Sequence, residues 1–240
     1  MTDKVRVFGL ALSALVLLAF LGYALGSARN PESASGVPVM ETTSSPTAPV
    51  VTAAARKTSA VPKGGRGAFV IAPGDGPLVG RGLVHPYQVA VEVNTGLDAA
   101  DFAAAVEATL ADPRSWTAHG RWGFRRVGPG EPHDFVVRLA TPATVDKICG
   151  AAGIQTSGEV SCRAGGNVVI NLRRWQLAIP PYADHLRDYQ HLVVNHEVGH
   201  FLGFGHAGCP GRGRPAPAMM PQYFGLDGCV PNAWPYPQAS

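Results

Sequence analysis

Asn195 to His206, NHEVGHFLGFGH, gathers three histidines, one glutamate and three glycines into twelve residues, and nothing else in the chain constrains its folding so tightly. On a helix, residues four apart lie nearly above one another, so His196 and His200 can offer their imidazoles to one metal ion from the same face. Glu197 follows His196 and points about 100° around the axis, beside such an ion but outside its coordination shell. A general base acting on a metal-activated water belongs at that place. Gly203 comes three residues after His200, and glycine is the residue that ends helices in the left-handed conformation. A reversal there lets His206 supply a third nitrogen from another direction. Three nitrogens leave the fourth tetrahedral position of a Zn²⁺ ion open, the arrangement of a catalytic rather than a structural site. By accident, the His-Glu-x-x-His part alone would arise in roughly one chain in a hundred of this length. With Gly203 and His206 added, the rate falls to roughly a few in a hundred thousand, which excludes chance.

The N-terminus sets a second constraint. Lys4 and Arg6 precede VFGLALSALVLLAFLGYALG, a charge-free run over Val7 to Gly26. A helix of that length spans about 30 Å, the thickness of a bilayer core. Residues 1–26 are therefore read as a single-pass membrane anchor with its basic end in the cytoplasm, everything after Gly26 being extracytoplasmic. If the segment is instead removed as a signal peptide, with Ala24 to Ser27 as a weak cleavage site, the product is secreted. Residues 27–66, rich in Pro, Ser, Thr and Ala and without apolar periodicity, read as a disordered stalk.

Residues 67–240 are left for one domain, whose core the 46% hydrophobic content can fill. A formal charge of +3, with Lys and Arg scattered along the chain, gives no basic stripe, and nucleic acid is excluded as a partner. All four cysteines, Cys149, Cys162, Cys209 and Cys229, fall in the exported part, where disulfides persist. Four cysteines allow three pairings. The lower cost of closing short loops favours Cys149 with Cys162 and Cys209 with Cys229.

Alternation marks strands over Tyr87–Val93, FRRV from Phe124, DFVVRLA from Asp134 and NVVINLRRW, Asn167–Trp175. Helical spacing of Phe102, Val106 and Leu110 predicts a helix over Leu97–Asp112 with Asp98 as a cap. A short helix ends near Gly150, and a second long one runs from about Asp184 to Leu202. The order is that of an α+β domain in which the site-bearing helix lies behind a sheet. From His206 onward, Pro and Gly enforce an irregular tail.

The pattern HEVGHFLGFGH matches HExxHxxGxxH, and on it the chain resembles the metzincin metallopeptidases. DPRSW at Asp112, FRRV at Phe124, INLRRW at Ile170, VVNHEVGH at Val193, GCPGRGRPAPAMM at Gly208 and GCVPNAWP at Gly228 resemble, more narrowly, metzincin-like surface domains of high-GC actinobacteria. The resemblance implies a twisted sheet backed by two long helices, with a cleft over the zinc. It implies a turn whose methionine lies beneath the metal, here Met219 in MMPQY. It also implies that the strand before the active-site helix forms the cleft edge and binds extended substrate. By chain order that is Asn167, Val168, Val169, Ile170, Asn171 and Leu172. The expected activity is zinc-dependent cleavage of peptide or protein outside the cell, with Glu197 as base. A peptidase for cell-wall peptide stems and a zinc-stabilised binding module without turnover are the competing expectations. No cysteine lies in the stalk, so latency by a cysteine on the metal, as in matrix metalloproteinases, is not available.

Overall fold

The structure, a computed structural model, describes residues 60–239. The predicted anchor and most of the predicted stalk lie outside these residues. Among those described, no helix is long and apolar enough to cross a membrane.

The elements follow in the order β1 (Phe69–Ile71), β2 (Val79–Gly80), β3 (Leu83–Glu92), α1 (Ala99–Ala111), β4 (Trp122–Arg126), β5 (Phe135–Ala140) and α2 (Pro142–Gly150). Then come β6 (Cys162–Ala164), β7 (Asn167–Asn171), α3 (Leu172–Leu177) and α4 (Leu186–Phe201). Among the described residues this is an α+β domain with a mixed sheet of seven strands and four helices. The sheet order is β2-β4-β3-β5-β7-β6, and β1 pairs antiparallel with the far end of β3. Strands β4, β3, β5 and β7 run parallel, while β6 returns antiparallel along β7.

The period of two sorts the sheet's side chains onto its faces. Val89 and Val91 of β3, Val137 and Leu139 of β5, and Val168 and Ile170 of β7 join Phe102, Val106 and Leu110 of α1 and Val194 and Val198 of α4 in one core. Ala140 and Val169 turn the other way and pack with Val145 and Cys149 of α2. The two long helices thus share one face, and α4 is held against it along its length. Helix α1 begins where predicted: the Asp98 carboxylate accepts from the backbone N–H groups of Ala100 and Asp101 at 2.7 and 3.2 Å.

Three expectations need correction. The strand predicted over Asn167–Trp175 stops at Asn171, whose side chain accepts from the Arg173 N–H at 2.9 Å and caps α3. A competing cap outweighs the apolar alternation of the following residues. Second, Asn167, Val168, Val169, Ile170 and Asn171 do not form the sheet edge, and Leu172 is helical. Strand β7 is interior, with β5 on one side and β6 on the other. Third, the domain starts before Gly67. The Lys63 carbonyl accepts from the Ala143 N–H at 3.0 Å, the Gly67 N–H donates to Glu92 at 2.8 Å, and Val61 packs on the core.

Both disulfides have the pairing that loop entropy favours, Cys149–Cys162 and Cys209–Cys229. The first ties α2 to the edge strand β6. The second closes the irregular tail.

Candidate metal centre

Helix α4 brings His196 and His200 to one face as their spacing requires, and its end supplies the third histidine. Gly203 has φ +92, and the N–H groups of Gly203 and Phe204 donate back to the carbonyls of His200 and Gly199 at 3.2 and 2.9 Å. This is a Schellman ending, which satisfies carbonyls left open by the last turn and reverses the chain. His206 then faces the helix pair. The Nε2 atom of His200 lies 3.2 Å from that of His196 and 3.2 Å from that of His206, and a ligand atom from each of the three lies within 4.8 Å of the others.

Two of these rings are locked from behind. The carbonyl of Ala218 accepts from His196 Nδ1 at 2.8 Å, and the carbonyl of Phe204 accepts from His200 Nδ1 at 2.9 Å. Each bond fixes the tautomer that leaves the Nε2 lone pair facing the common point. Burial lowers the His196 pKa to about 4, the Ala218 hydrogen bond opposing and the His200 and His206 charges adding to the fall. Burial likewise lowers that of His200, where the charges of His206 and Arg163 act in the same sense against the Phe204 hydrogen bond. Both rings are neutral at physiological pH, the form that binds metal.

The donor set fits zinc. Nitrogens 2.0–2.1 Å from a tetrahedral ion stand about 3.3 Å apart, close to both nearest separations here. Glu197, next along the helix, is 5% exposed and lines the same cleft, and its Oε2 is buried without a hydrogen-bond partner. Burial pushes its pKa up to about 8. A buried carboxylate oxygen with no protein donor calls for a cation or a water beside it.

Met219, the methionine expected in the turn, lies after the His206 loop in the chain. It is buried in the main core, and its carbonyl accepts from the Ala207 N–H at 3.0 Å, pinning the His206 loop. Its neighbour Met220 belongs to a separate cluster with Ala216 and Cys229. Gly199, between the two helix histidines, was not singled out in the sequence. A Cβ there would lie 2.3 Å from Met219 Sδ and 2.6 Å from Trp116 Cζ2, so this glycine is what lets Met219 and Trp116 close beneath the helix. The Trp116 indole donates to the Asn195 carbonyl at 2.8 Å and stacks on Phe204 with centroids 4.6 Å apart. Asn195 itself is fully buried, accepting from Ser115 Oγ and donating to the Ala233 carbonyl. The spacing of Ser115, Trp116 and Ala233 along the chain carries no sign of this convergence.

The remaining histidines stay outside the centre. His191 bonds Thr109 Oγ1 at 2.9 Å and packs on Trp234, His85 pairs with Asp134, and His119 packs on Tyr236. The cleft over the three imidazoles encloses about 420 Å³. It is lined by Tyr189, Leu192 and Val193 of α4, by Val160 to Arg163 approaching and entering β6, and by Met220 to Phe224.

Fold and site together define a class: an α+β domain with a trihistidine cluster, built on a helix and the turn after it, lining a cleft. Residues 56–237 match the family described as protein of unknown function (DUF3152), and the chain belongs to that family. No curated protein and no solved structure matches it.

Proposed function

We propose that this protein is an extracytoplasmic zinc endopeptidase of metzincin type. The observation that carries the reading is the convergence of three imidazole nitrogens beside a buried carboxylate oxygen that the fold leaves without a donor. A purely structural metal needs no such carboxylate. Bound there, zinc would acidify a water toward a pKa of about 7, polarise a peptide carbonyl, and hold Glu197 ionised through its charge.

The chain's own residues do the rest. Glu197 takes a proton from the attacking water as its oxygen bonds to the carbonyl carbon. As the C–N bond breaks, Glu197 passes that proton to the departing amine. The carbonyls of Ala218 and Phe204 keep the His196 and His200 rings aimed, and the Schellman turn at Gly203 holds His206 opposite them. Strand β6 takes over the edge role first expected of β7: it is the outermost strand, and it lines the cleft. An extended peptide can add to its free side by main-chain hydrogen bonds. Two disulfides, with no free cysteine among the described residues, support an oxidising compartment, and the apolar run over 7–26 supports anchorage to a membrane.

The full chain, purified with zinc, is expected to cleave a denatured protein mixture, and Glu197→Gln to retain its zinc while losing activity by about 10²- to 10⁴-fold. Zinc at full occupancy with no cleavage of varied peptides would replace this reading with a zinc-stabilised binding module.

A further inference from the structure

We propose that Arg163 makes this cleft selective for substrates carrying a carboxylate beside the scissile bond, an inference that rests on the peptidase reading above. Arg163 is the middle residue of β6, opposite Val168 in register. Directly opposed residues point to the same face, and Val168 faces the core beneath α4, so the Arg163 side chain is directed to the α4 side of the sheet. Its neighbours Cys162 and Ala164 face away, into the cluster with α2. Arg163 lines the cleft with the three histidines, and its charge is felt at His200.

Among the described residues this guanidinium has no hydrogen-bond or ion-pair partner. Its Nε is buried without a hydrogen-bond acceptor, and among the described residues it forms no ion pair. Nearby Arg173 and Arg174 differ, both being held by Glu159. Among the described residues Glu197 is the one carboxylate lining the cleft, which it shares with the three imidazoles. A buried, unpaired arginine donor is costly unless something else supplies the acceptor. A carboxylate is the planar, two-oxygen acceptor whose geometry the guanidinium fork matches. A peptide lying along β6 directs alternate side chains to the α4 face, which brings its own carboxylate within reach of that fork. The carboxylate can belong to an Asp or Glu side chain or to the end of the peptide chain.

The test uses the full chain carrying Glu197→Gln and loaded with zinc, so that peptides bind without being cut. It is titrated with fluorescent peptides that differ only by Glu against Gln at one position, or by a free against an amidated C-terminus. One carboxylate is expected to tighten binding by about ten- to a hundredfold over its amide counterpart. An internal position identifies a side-chain carboxylate, and the terminal pair identifies the chain end. Adding Arg163→Gln should erase that difference while leaving the affinity of the amide peptide and the zinc content unchanged. Arg163→Glu should turn the preference toward Lys at the same position. Equal binding of acid and amide peptides overturns the inference while leaving the peptidase reading standing. A preference that survives Arg163→Gln, or an equal loss for every peptide, overturns it also. Failure of every peptide to bind overturns the peptidase reading and this inference together.

Discussion

At the scale of single residues, the centre depends on groups that touch no metal. Gly199 is the clearest case, because its missing side chain is the space that Met219 and Trp116 occupy. Gly199→Ala is expected to destabilise the domain by about 1–3 kcal/mol, read as a shift in the denaturant midpoint. The same change should weaken zinc binding, since Ala218, whose carbonyl orients His196, adjoins Met219. Truncating His196, His200 or His206 singly to Ala should remove stoichiometric zinc, measured by metal analysis after dialysis. These three positions and Glu197 were legible in the sequence because helical periodicity and one glycine turn are local rules. The groups that orient them were not, since the carbonyls of Ala218 and Phe204 are backbone atoms that any residue type carries. Asn195 sits inside the quoted motif, yet its partners Ser115 and Ala233 lie far from it in sequence.

At the scale of elements, α4, α1 and the parallel strands stood out because their burial is periodic. The errors fell where two local rules compete or where an element is too short to show a period. Asn171 ends β7 by capping α3, although the next residues still look like a strand. Strand β6, three residues long, carries no recognisable alternation, yet it displaces β7 from the edge and lines the cleft. One buried carboxylate joins elements across the sheet. Glu92, at the end of β3, accepts from the Gly67 N–H and Thr144 Oγ1 through Oε1 and from the Thr141 N–H and Oγ1 through Oε2. Burial alone would raise its pKa, but these hydrogen bonds from Thr144, Thr141 and Gly67 prevail and hold it below the ordinary 4.5. Because the folded value is the lower one, its contribution is complete above the unfolded value and fades as pH falls through the folded value. Glu92→Gln, which turns one acceptor into a donor facing donors, should cost about 2 kcal/mol at pH 7. The penalty should shrink on acidification below pH 4.5, as urea titrations at a series of pH values would reveal.

At the scale of the whole molecule, the tail after His206 has little regular secondary structure and is held by one disulfide, turn hydrogen bonds and side chains reaching back to the site. The Cys209–Cys229 bond closes a loop with a sequence separation of 20 that contains Ala218 and Met219. Replacing both cysteines by Ala should lower stability by about 3 kcal/mol. Zinc affinity should drop by about 10- to 100-fold, because the acceptor behind His196 is then loosely held. The motifs that had marked the chain without explaining it acquire roles in the same scaffold. From DPRSW come Ser115 and Trp116 against Asn195, and from GCVPNAWP come the Asn232 and Ala233 carbonyls that hold Gln222 and Asn195. INLRRW supplies the Asn171 cap and the two arginines on Glu159. These contacts orient one trihistidine site, and zinc-edge X-ray absorption on the zinc-loaded full chain tests its proposed coordination directly. Three imidazole nitrogens and one oxygen donor at about 2.0–2.1 Å are predicted. A sphere containing sulfur, or one with fewer than three imidazoles, would contradict the account.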